Sequence, residues 1–359
     1  MKPECGRGVV ALVLFVLTAV PAAGQEPGIR GFPTSMLEEQ RERESLLRSV
    51  PEADSIRARL RLLSEEPHHA GFPGSLEVAE LILAKFRSAG LDAELERFEA
   101  LMPVPVTRRL ELLGPEPYVA RLIEPALPED KDSGDANGLP PYNAYSPDGD
   151  VTAPLVFVNY GLPEDYEVLD SLGIDVAGKI VIAKYGRSWR GIKPKVAAEH
   201  GALATILYSD PEDDGYFVQD VYPEGPMRPW FGVQRGSVMD MPTYPGDPQS
   251  PGWASVEGAR KIPIDEVTTF SPIPVLPISY GDAQPLLEAL GGPVAPEDWR
   301  GTLPFTYHVG PSSADVRLTL AFDWEVRPLY NVVATIEGAV SPEQWVVWGN
   351  HHDAWVNGA

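Results

Sequence analysis

Short apolar runs, each about as long as one strand, most constrain what this chain can fold into. They lie at 155–159, 179–184 and 204–208, and a helical stretch at 193–200 separates the last two. Short apolar runs of this length are typical of strands. This part of the chain is therefore predicted to contain short strands with a helix between the last two.

Periodicity indicates further elements before residue 100. The pattern over 35–63 predicts helix, with leucines spaced among many Glu and Arg residues. Apolar residues recur at three- and four-residue steps over 75–89, and Gly90 suits the end of that helix. Alternation over 91–98 predicts a strand.

The middle of the chain mixes loops with short elements. A polar stretch rich in Pro, Gly and Asp predicts a surface loop over 126–150. The segment 211–256 is dense in Pro, Gly and aromatic residues, which predicts a long, ordered functional loop. We expect a strand at 275–279, a short helix at 282–290 and a half-buried strand at 316–322.

Two further apolar runs, at 330–336 and 345–348, predict fully buried strands. His351 and Asp353 come directly after the second run. In open α/β sheets functional groups cluster past the carboxyl ends of strands, and residues two apart project to one side. His351 is a candidate zinc ligand and Asp353 a candidate supporting carboxylate, although a polar pair at a strand end fits the same pattern.

Charge and cysteine content limit the function classes. The formal net charge is −23, and an acidic surface repels phosphate backbones, which argues against a nucleic acid partner. Cys5 is the one cysteine, so no disulfide can form within the chain. A thiol ahead of the first apolar stretch is also a poor candidate for a nucleophile.

The first 25 residues have the layout of a signal peptide. Lys2 and Arg7 precede an apolar run at 9–20, and small residues follow at 22–24. A membrane span needs about 20 apolar residues, more than this run provides. We expect export to a periplasm or to the outside of the cell, with an uncleaved membrane anchor as the alternative.

Several segments resemble glutamate carboxypeptidase II and its relatives. RPLYNVVATIEGAVSPEQWVVWGNHHDAWVNG (327–358) resembles a strand–turn–strand that ends in a Gly-Gly-His-Arg-Asp-like motif in that family. The others are LLSEEPHHAGFPGSLEVAELILAKFRSAGLDAELERFEALMPVP (62–105), GKIVIAKYGRSWRGIKPKVAAEHGALATILYSDPEDDG (178–215), VQRGS (233–237), PVLPISYGDAQPLLEALGG (274–292) and WRGTLPFTYHVGP (299–311). The resemblance covers nearly everything after about residue 50.

This resemblance implies a zinc exopeptidase with an α/β peptidase sandwich, interrupted by a β-rich protease-associated domain. The implied divisions are a first peptidase part at 26–102, the inserted domain at 103–325 and a resumed, truncated peptidase domain at 326–359. It implies two zinc ions, a peptide substrate cut at a terminal residue, and dimerisation through a C-terminal domain that lies beyond residue 359. The catalytic Glu and the other zinc ligands would also lie further on, so we expect these 359 residues alone to be inactive.

The resemblance also implies residue roles. His351 matches a ligand of one zinc ion, and Asp353 matches the catalytic carboxylate that supports it. Lys184 stands where glutamate-selective members have Arg and Ser237 where they have Asn, which leaves a preference for C-terminal glutamate in doubt because Lys lacks the bidentate fork of Arg. Arg187, Arg190 and Arg235 are candidates for a cationic substrate pocket, or else solvated surface charges.

Two other features follow from the resemblance. The segment GDPQSPGW (246–253) resembles a loop whose backbone oxygens bind a structural calcium ion, and Ser250 and Trp253 would contribute them. His68 and His69 stand where the family has a single His, and we expect both to be structural or at the surface.

A non-catalytic relative is the competing interpretation. Transferrin receptors share the fold, bind partner proteins and carry a non-ligand at the position of His351. The presence of both His351 and Asp353 favours the enzyme.

Overall fold

The computed structural model describes residues 28–135 and 138–355. The predicted signal peptide lies outside the described residues. The chain divides into two compact units, 1–60 and 61–359. None of the described helices has the length and the apolar character that crossing a membrane requires.

The unit 1–60 is helical over much of its described part, as predicted. Helix α1 spans Leu37–Ser49, and α2 spans Ala53–Leu63, ending within the second unit. Residues 50–52 separate them, and Pro51 has no backbone N–H with which to continue the hydrogen bonding of α1. Ion pairs between Arg43 and Glu39 support α1 at the four-residue spacing that brings side chains together on a helix.

A seven-stranded sheet and a two-stranded sheet organise the unit 61–359. The strands are β1 Asp92–Leu112, β2 Tyr118–Val119, β3 Asn143–Ala144, β4 Gly149–Phe157, β5 Ile180–Lys184, β6 Ala204–Tyr208, β7 Gly236–Ser237, β8 Val275–Ile278 and β9 Asp315–Thr335. The order in the large sheet is β2-β1-β9-β4-β5-β6-β8, while β3 and β7 pair separately.

Five helices complete the described part of this unit. They are α3 Pro73–Ser88, α4 Pro163–Ser171, α5 Ile192–Glu199, α6 Pro211–Asp214 and α7 Tyr280–Glu288. Helix α3 confirms the predicted amphipathic helix, and Gly90, with φ of +82°, follows its end.

The parallel part of the large sheet confirms the short strands predicted at 155–159, 179–184, 204–208 and 275–279. Strands β4, β5, β6 and β8 run parallel to one another. Every residue of β5, β6 and β8 is buried. Helices α4 and α5 provide the two connections from β4 to β5 and from β5 to β6, and the fold is mixed α/β as the sequence predicts.

Strands β1 and β9 form a long antiparallel ribbon that the sequence predicts only in part. Asp92 pairs with Thr335 at one end and Leu112 with Val316 at the other, with a register shift between Pro105 and Thr107. The prolines are tolerated because β2 pairs with β1 only near Leu112, so the other side of β1 is an edge at Pro105. Both strands run across the predicted domain boundaries, which stay a prediction.

The prediction of two buried strands near 330–348 is wrong. Residues of β9 beyond Tyr330 are half-buried or exposed, and Trp345–Trp348 form no strand. Trp345 and Trp348 are 84% and 94% exposed. A strand is buried only when neighbouring strands and helices cover it, and the described residues provide no strand that pairs with 345–348.

Candidate functional site

A cavity of about 310 Å³ lies where the parallel strands β5 and β6 end. The loop 185–190 after β5 and the segment 209–214 after β6 provide most of its lining, and Gln234 completes it. Loops past the carboxyl ends of parallel strands are the usual place for a binding site in such a sheet. The volume falls at the small end of the range for small-molecule sites.

Arg190 is the cation of this lining. Its guanidinium carbon lies 5.9 Å from the ring centroid of Tyr185, and its buried Nε has no hydrogen-bond partner among the described residues. Gly236 lets the side chain pass, because a Cβ there would lie 2.2 Å from a terminal nitrogen of Arg190. The structure thus places Arg190 against β7, next to Ser237.

Two carboxylates of the cavity wall already have partners. Asp214 accepts a hydrogen bond from Nε of Arg228 at 2.8 Å. Asp213 accepts one from the hydroxyl of Tyr160 at 2.7 Å. Burial and this hydrogen bond raise the pKa of Tyr160 to about 12. The hydroxyl of Tyr160 donates a hydrogen bond to Asp213 but leaves its negative charge in place. The cavity wall therefore carries a positive charge on Arg190 and a negative charge on Asp213.

Lys184 does not line the cavity in this structure. It is 1% exposed, its ammonium donates to the carbonyl of Trp299 at 3.1 Å, and it lies 4.3 Å from the ring centroid of Tyr160. Burial lowers its pKa. The substrate-binding role of Lys184 stays a prediction, with the side chain enclosed in the fold.

Lys193 is a second enclosed cation beside the cavity. It is fully buried and donates to the carbonyls of Tyr160 at 2.5 Å and of Gly186 at 3.0 Å. Burial lowers the pKa of Lys193 from 10.5 to about 8. Its hydrogen bond to Gly186 fixes the loop that carries Arg190, and the sequence analysis did not identify it.

The other predicted pocket residues lie around this region in different ways. Arg187 is exposed, has φ of +62° and stacks over Tyr160 at 5.3 Å. Arg235 is 8% exposed and pairs with Glu124 at 2.6 Å. Ser237 lies in β7, and its hydroxyl accepts from the amide of Met239 at 3.1 Å. Their roles in substrate binding stay predictions.

His351 and Asp353 contact each other at an exposed position. The Nδ1 atom of His351 lies 2.9 Å from the carbonyl oxygen of Asp353 and 3.8 Å from its carboxylate. A carbonyl only accepts, so Nδ1 carries the proton and Nε2 is left with a free lone pair. Metal-binding histidines commonly donate their other ring N–H to a carbonyl in this way.

His351 has the geometry to serve as one ligand of a zinc ion, but the described residues do not form a complete zinc site. They contain no group of three or more His, Cys, Asp or Glu side chains placed to hold a metal ion. A catalytic zinc needs about three protein ligands. The predicted role of His351 therefore depends on ligand side chains outside the described residues.

The carboxylate in the predicted calcium loop already has partners inside and outside the loop. The carboxylate of Asp247 accepts from the amide of Leu101, the hydroxyl of Ser250 and the ammonium of Lys261, at 2.8, 2.7 and 3.3 Å. The carbonyl of Ser250 accepts from the amide of Trp253. The roles of Ser250 and Trp253 as calcium ligands stay predictions.

His68 and His69 are both buried, at 6% and 7% exposure, which excludes the surface alternative. The carbonyl of His68 accepts from the amide of Ala354 at 3.2 Å, and Nδ1 of His69 lies 3.1 Å from the carbonyl of Ala354. Burial lowers the pKa of His69. Adjacent histidines before a helix carry no signal of this contact, because 285 residues separate its partners.

Comparisons with known proteins agree with the resemblance. Residues 151–241 match the family model for the PA domain. The chain is 34% identical over 369 residues to the probable glutamate carboxypeptidase VP8 of Zea mays, covering 100% of this chain and 48% of that protein. It is 34% identical over 327 residues to the aminopeptidase NAALADL1 of Rattus norvegicus, covering 86% and 44%. The chain spans about half the length of the curated relatives it matches.

Solved structures with a similar arrangement include two bacterial aminopeptidases. An aminopeptidase from Aneurinibacillus sp. strain AM-1 is 20% identical with a TM-score of 0.41, covering 80% of this chain and 49% of that one. A zinc aminopeptidase from Bacillus subtilis is 17% identical with a TM-score of 0.39, covering 78% and 46%.

The sequence relatives settle the family to which the residues quoted above point. The match extends over the whole chain, and the PA domain falls inside the predicted inserted domain. The chain is thus a homologue of the glutamate carboxypeptidases and NAALADL1 aminopeptidases, with a PA domain at residues 151–241.

Proposed function

We propose that the protein carrying this chain is a zinc-dependent exopeptidase that removes terminal residues from peptides. The relatives named glutamate carboxypeptidase and aminopeptidase support this proposal. The observation that carries it is the geometry of His351. Its Nδ1–H donates to Asp353, and its Nε2 lone pair faces outward, as a metal ligand requires.

The residues of this chain would prepare the site as follows. His351 offers one neutral imidazole ligand, and Asp353 orients the ring through its carbonyl oxygen. Bound zinc, two ions in this proposal, would polarise the scissile carbonyl and activate a water molecule. The remaining ligands and the general base would come from residues other than those described.

Arg190 would bind a carboxylate of the peptide. Its guanidinium lies at the cavity, and its Nε has no hydrogen-bond partner among the described residues. Lys193 holds the carbonyl of Gly186 in the same loop, and Gly236 leaves room for the side chain of Arg190. Guanidinium groups bind carboxylates in a bidentate way that lysine cannot reproduce. Among the candidate cations Arg187, Arg190 and Arg235, this proposal gives the recognition of a carboxylate to Arg190.

Three finer features belong to the same proposal. The signal-peptide layout of the first 25 residues supports secretion or export to a periplasm. The resemblance supports a homodimer formed through a C-terminal domain. The resemblance supports a calcium ion held by backbone oxygens of Ser250 and Trp253, close to Asp247, whose carboxylate lies 3.3 Å from the ammonium of Lys261.

Arg190→Gln tests the recognition role. In the full-length protein we expect kcat/KM for a peptide with a free C-terminal carboxylate to fall about 30-fold or more, corresponding to the roughly 2 kcal/mol cost of removing one partner of a buried charge pair. The same peptide with an amidated C-terminus should be cleaved equally by both proteins. Peptide hydrolysis with purified, zinc-loaded protein provides the measurement.

Arg228→Gln is the matched control, because Arg228 pairs with Asp214 in the same wall. It should not distinguish free from amidated peptides. Equal losses for both peptides in Arg190→Gln would show a general structural role. Absence of zinc binding and of hydrolysis in the wild-type protein would favour a non-catalytic, transferrin receptor-like partner-binding protein.

A further inference from the structure

The short segment 351–355, here called the His-Asp segment, is fixed to the fold at few points. Trp345–Trp348, just before it, are 84–96% exposed and pair with no strand of the described residues. In the His-Asp segment, by contrast, Ala354 is buried, and Trp355 packs edge-on against Tyr142 at 5.7 Å. The position of His351 therefore depends on the contacts that the His-Asp segment makes with the rest of the fold, which also include 3.0 Å between Nε2 of His352 and the carbonyl of Tyr330.

Ala354 exchanges two hydrogen bonds with the residues before α3. Its amide donates to the carbonyl of His68 at 3.2 Å, and its carbonyl accepts from the ring of His69 at 3.1 Å. The backbones of His69 and Ala354 also form a parallel bridge. The backbone N–H and C=O of Ala354 are therefore both held by the adjacent residues His68 and His69.

The ring of His69 is in turn fixed by packing. It is 7% exposed and meets Phe72 edge to face, with 6.1 Å between ring centroids and 79° between planes. Arg327 of β9 covers Phe72, its guanidinium carbon 4.8 Å from the ring centroid. The backbone amide of Phe72 donates to the carbonyl of His69 at 3.1 Å. The imidazole is therefore a rigid donor aimed at Ala354.

We propose that His69 is a positioning residue for the His-Asp segment, holding Ala354 through Nδ1–H so that His351 and Asp353 keep a fixed orientation. This inference rests on the proposed function, which gives His351 its role as a zinc ligand. The buried side chain of His69 would in this way fix the orientation of His351, whose own side chain is exposed. Partners that orient a metal ligand typically change metal affinity 10- to 100-fold when removed.

His68 provides a matched control on the neighbouring position. Its ring Nδ1 lies 2.8 Å from the carbonyl of Glu66, and only its main-chain carbonyl reaches Ala354. Replacing the His68 side chain therefore keeps the hydrogen bond to the amide of Ala354. Replacing the His69 side chain removes the hydrogen bond to the carbonyl.

Hydrogen exchange of the full-length protein tests the proposal without reference to zinc. In His69→Leu we expect the amide of Ala354 to exchange about 10-fold faster or more, consistent with loss of roughly 1.4 kcal/mol of local protection. His69→Asn, whose amide nitrogen can take the place of Nδ1, should restore slow exchange, and His68→Asn should leave it unchanged. Unchanged exchange in His69→Leu overturns the proposal.

Zinc affinity, measured by competition with a chelator, gives the second readout. We expect His69→Leu to bind zinc about 10- to 100-fold more weakly and His69→Asn to lie within about threefold of wild type. If His69→Leu does not fold, His69→Gln takes its place, because its amide reaches towards Nε2 rather than Nδ1. Wild-type zinc affinity in His69→Leu, or in the His69→Gln that replaces it, overturns the proposal.

The two readouts separate failure of this inference from failure of the proposed function. Faster exchange at Ala354 in a protein that binds no zinc in any variant would support positioning by His69 and reject the zinc exopeptidase. Normal zinc binding in wild type and in His69→Leu alike would keep the exopeptidase and reject the positioning role.

Discussion

Lys184, Lys193 and Arg190 lie near the cavity, and the contacts of their charged groups decide what each can do. Lys184 and Lys193 are enclosed and donate to backbone carbonyls. The buried Nε of Arg190 has no such partner among the described residues. Residue type alone does not distinguish these cases, so the sequence offered Lys184 and Arg190 alike as candidates for the substrate pocket. The difference arises because Lys184 is the last residue of a buried strand while Arg190 follows a turn.

The lowered pKa of Lys193 predicts how the free energy of unfolding depends on pH. Its pKa is lowered from 10.5 to about 8 in the folded protein, so between these values the unfolded chain holds a proton that the folded protein has lost. The free energy of unfolding should therefore rise with pH over this window, by about 3 kcal/mol from this residue. In Lys193→Met that contribution should be missing when urea unfolding is compared between pH 8 and 10.5.

Lys85→Met, at an exposed position of α3, is the control for this experiment and should keep the wild-type slope. Buried tyrosines with raised pKa values lower the free energy of unfolding as pH rises, but only above about pH 10. The difference in slope between wild type and Lys193→Met is therefore more informative than the slope of either protein alone. Identical slopes in wild type and Lys193→Met would show that Lys193 stays charged when buried.

At the scale of elements, the sequence predicts what is local and misses what depends on distant partners. The apolar runs that become β5, β6 and β8 are short and uninterrupted, so their burial follows from composition. Strand β1 extends past Pro105 because its partner β9 continues beside it. The run 345–348 has the same apolar character as β5, but its burial requires neighbours that the described residues do not provide.

Helix α7 and the edge strand β2 are linked by one carboxylate. Asp282, 1% exposed, accepts from the hydroxyl of Tyr118 and the amide of Arg121, each at 2.7 Å, and from the amide of Leu122 at 3.1 Å. Leu122 has φ of +52°, which is rare for leucine and needs such support. The hydrogen bonds explain how a strand of two residues is held.

Asp282→Ala should lower the free energy of unfolding by about 3 kcal/mol, since two backbone amides lose their acceptor in a buried place. Glu288→Ala, at an exposed position of the same helix, should change it by less than about 0.5 kcal/mol. Urea unfolding of the three proteins provides the comparison. Equal stability of Asp282→Ala and Glu288→Ala would mean that water replaces the carboxylate without cost.

The whole molecule combines an α/β sheet, a PA domain and an acidic surface. In a chain with a formal net charge of −23, Arg190, whose Nε has no hydrogen-bond partner among the described residues, provides a local attraction for a carboxylate. The sequence indicated the family through many ordered segments, and its relatives confirm it. The zinc site is predicted only as far as His351 and Asp353, since the described residues include no further set of ligands.

Zinc content and peptide hydrolysis of the full-length protein, compared between wild type and His351→Ala, test the central claim most directly. We predict two zinc ions per wild-type chain, weakened zinc binding in His351→Ala, and a fall in hydrolysis of at least about 100-fold. His308→Ala, at a histidine outside the His-Asp segment, should behave as wild type. A wild-type protein without zinc, or a His351→Ala variant with full zinc content and full activity, would contradict the account.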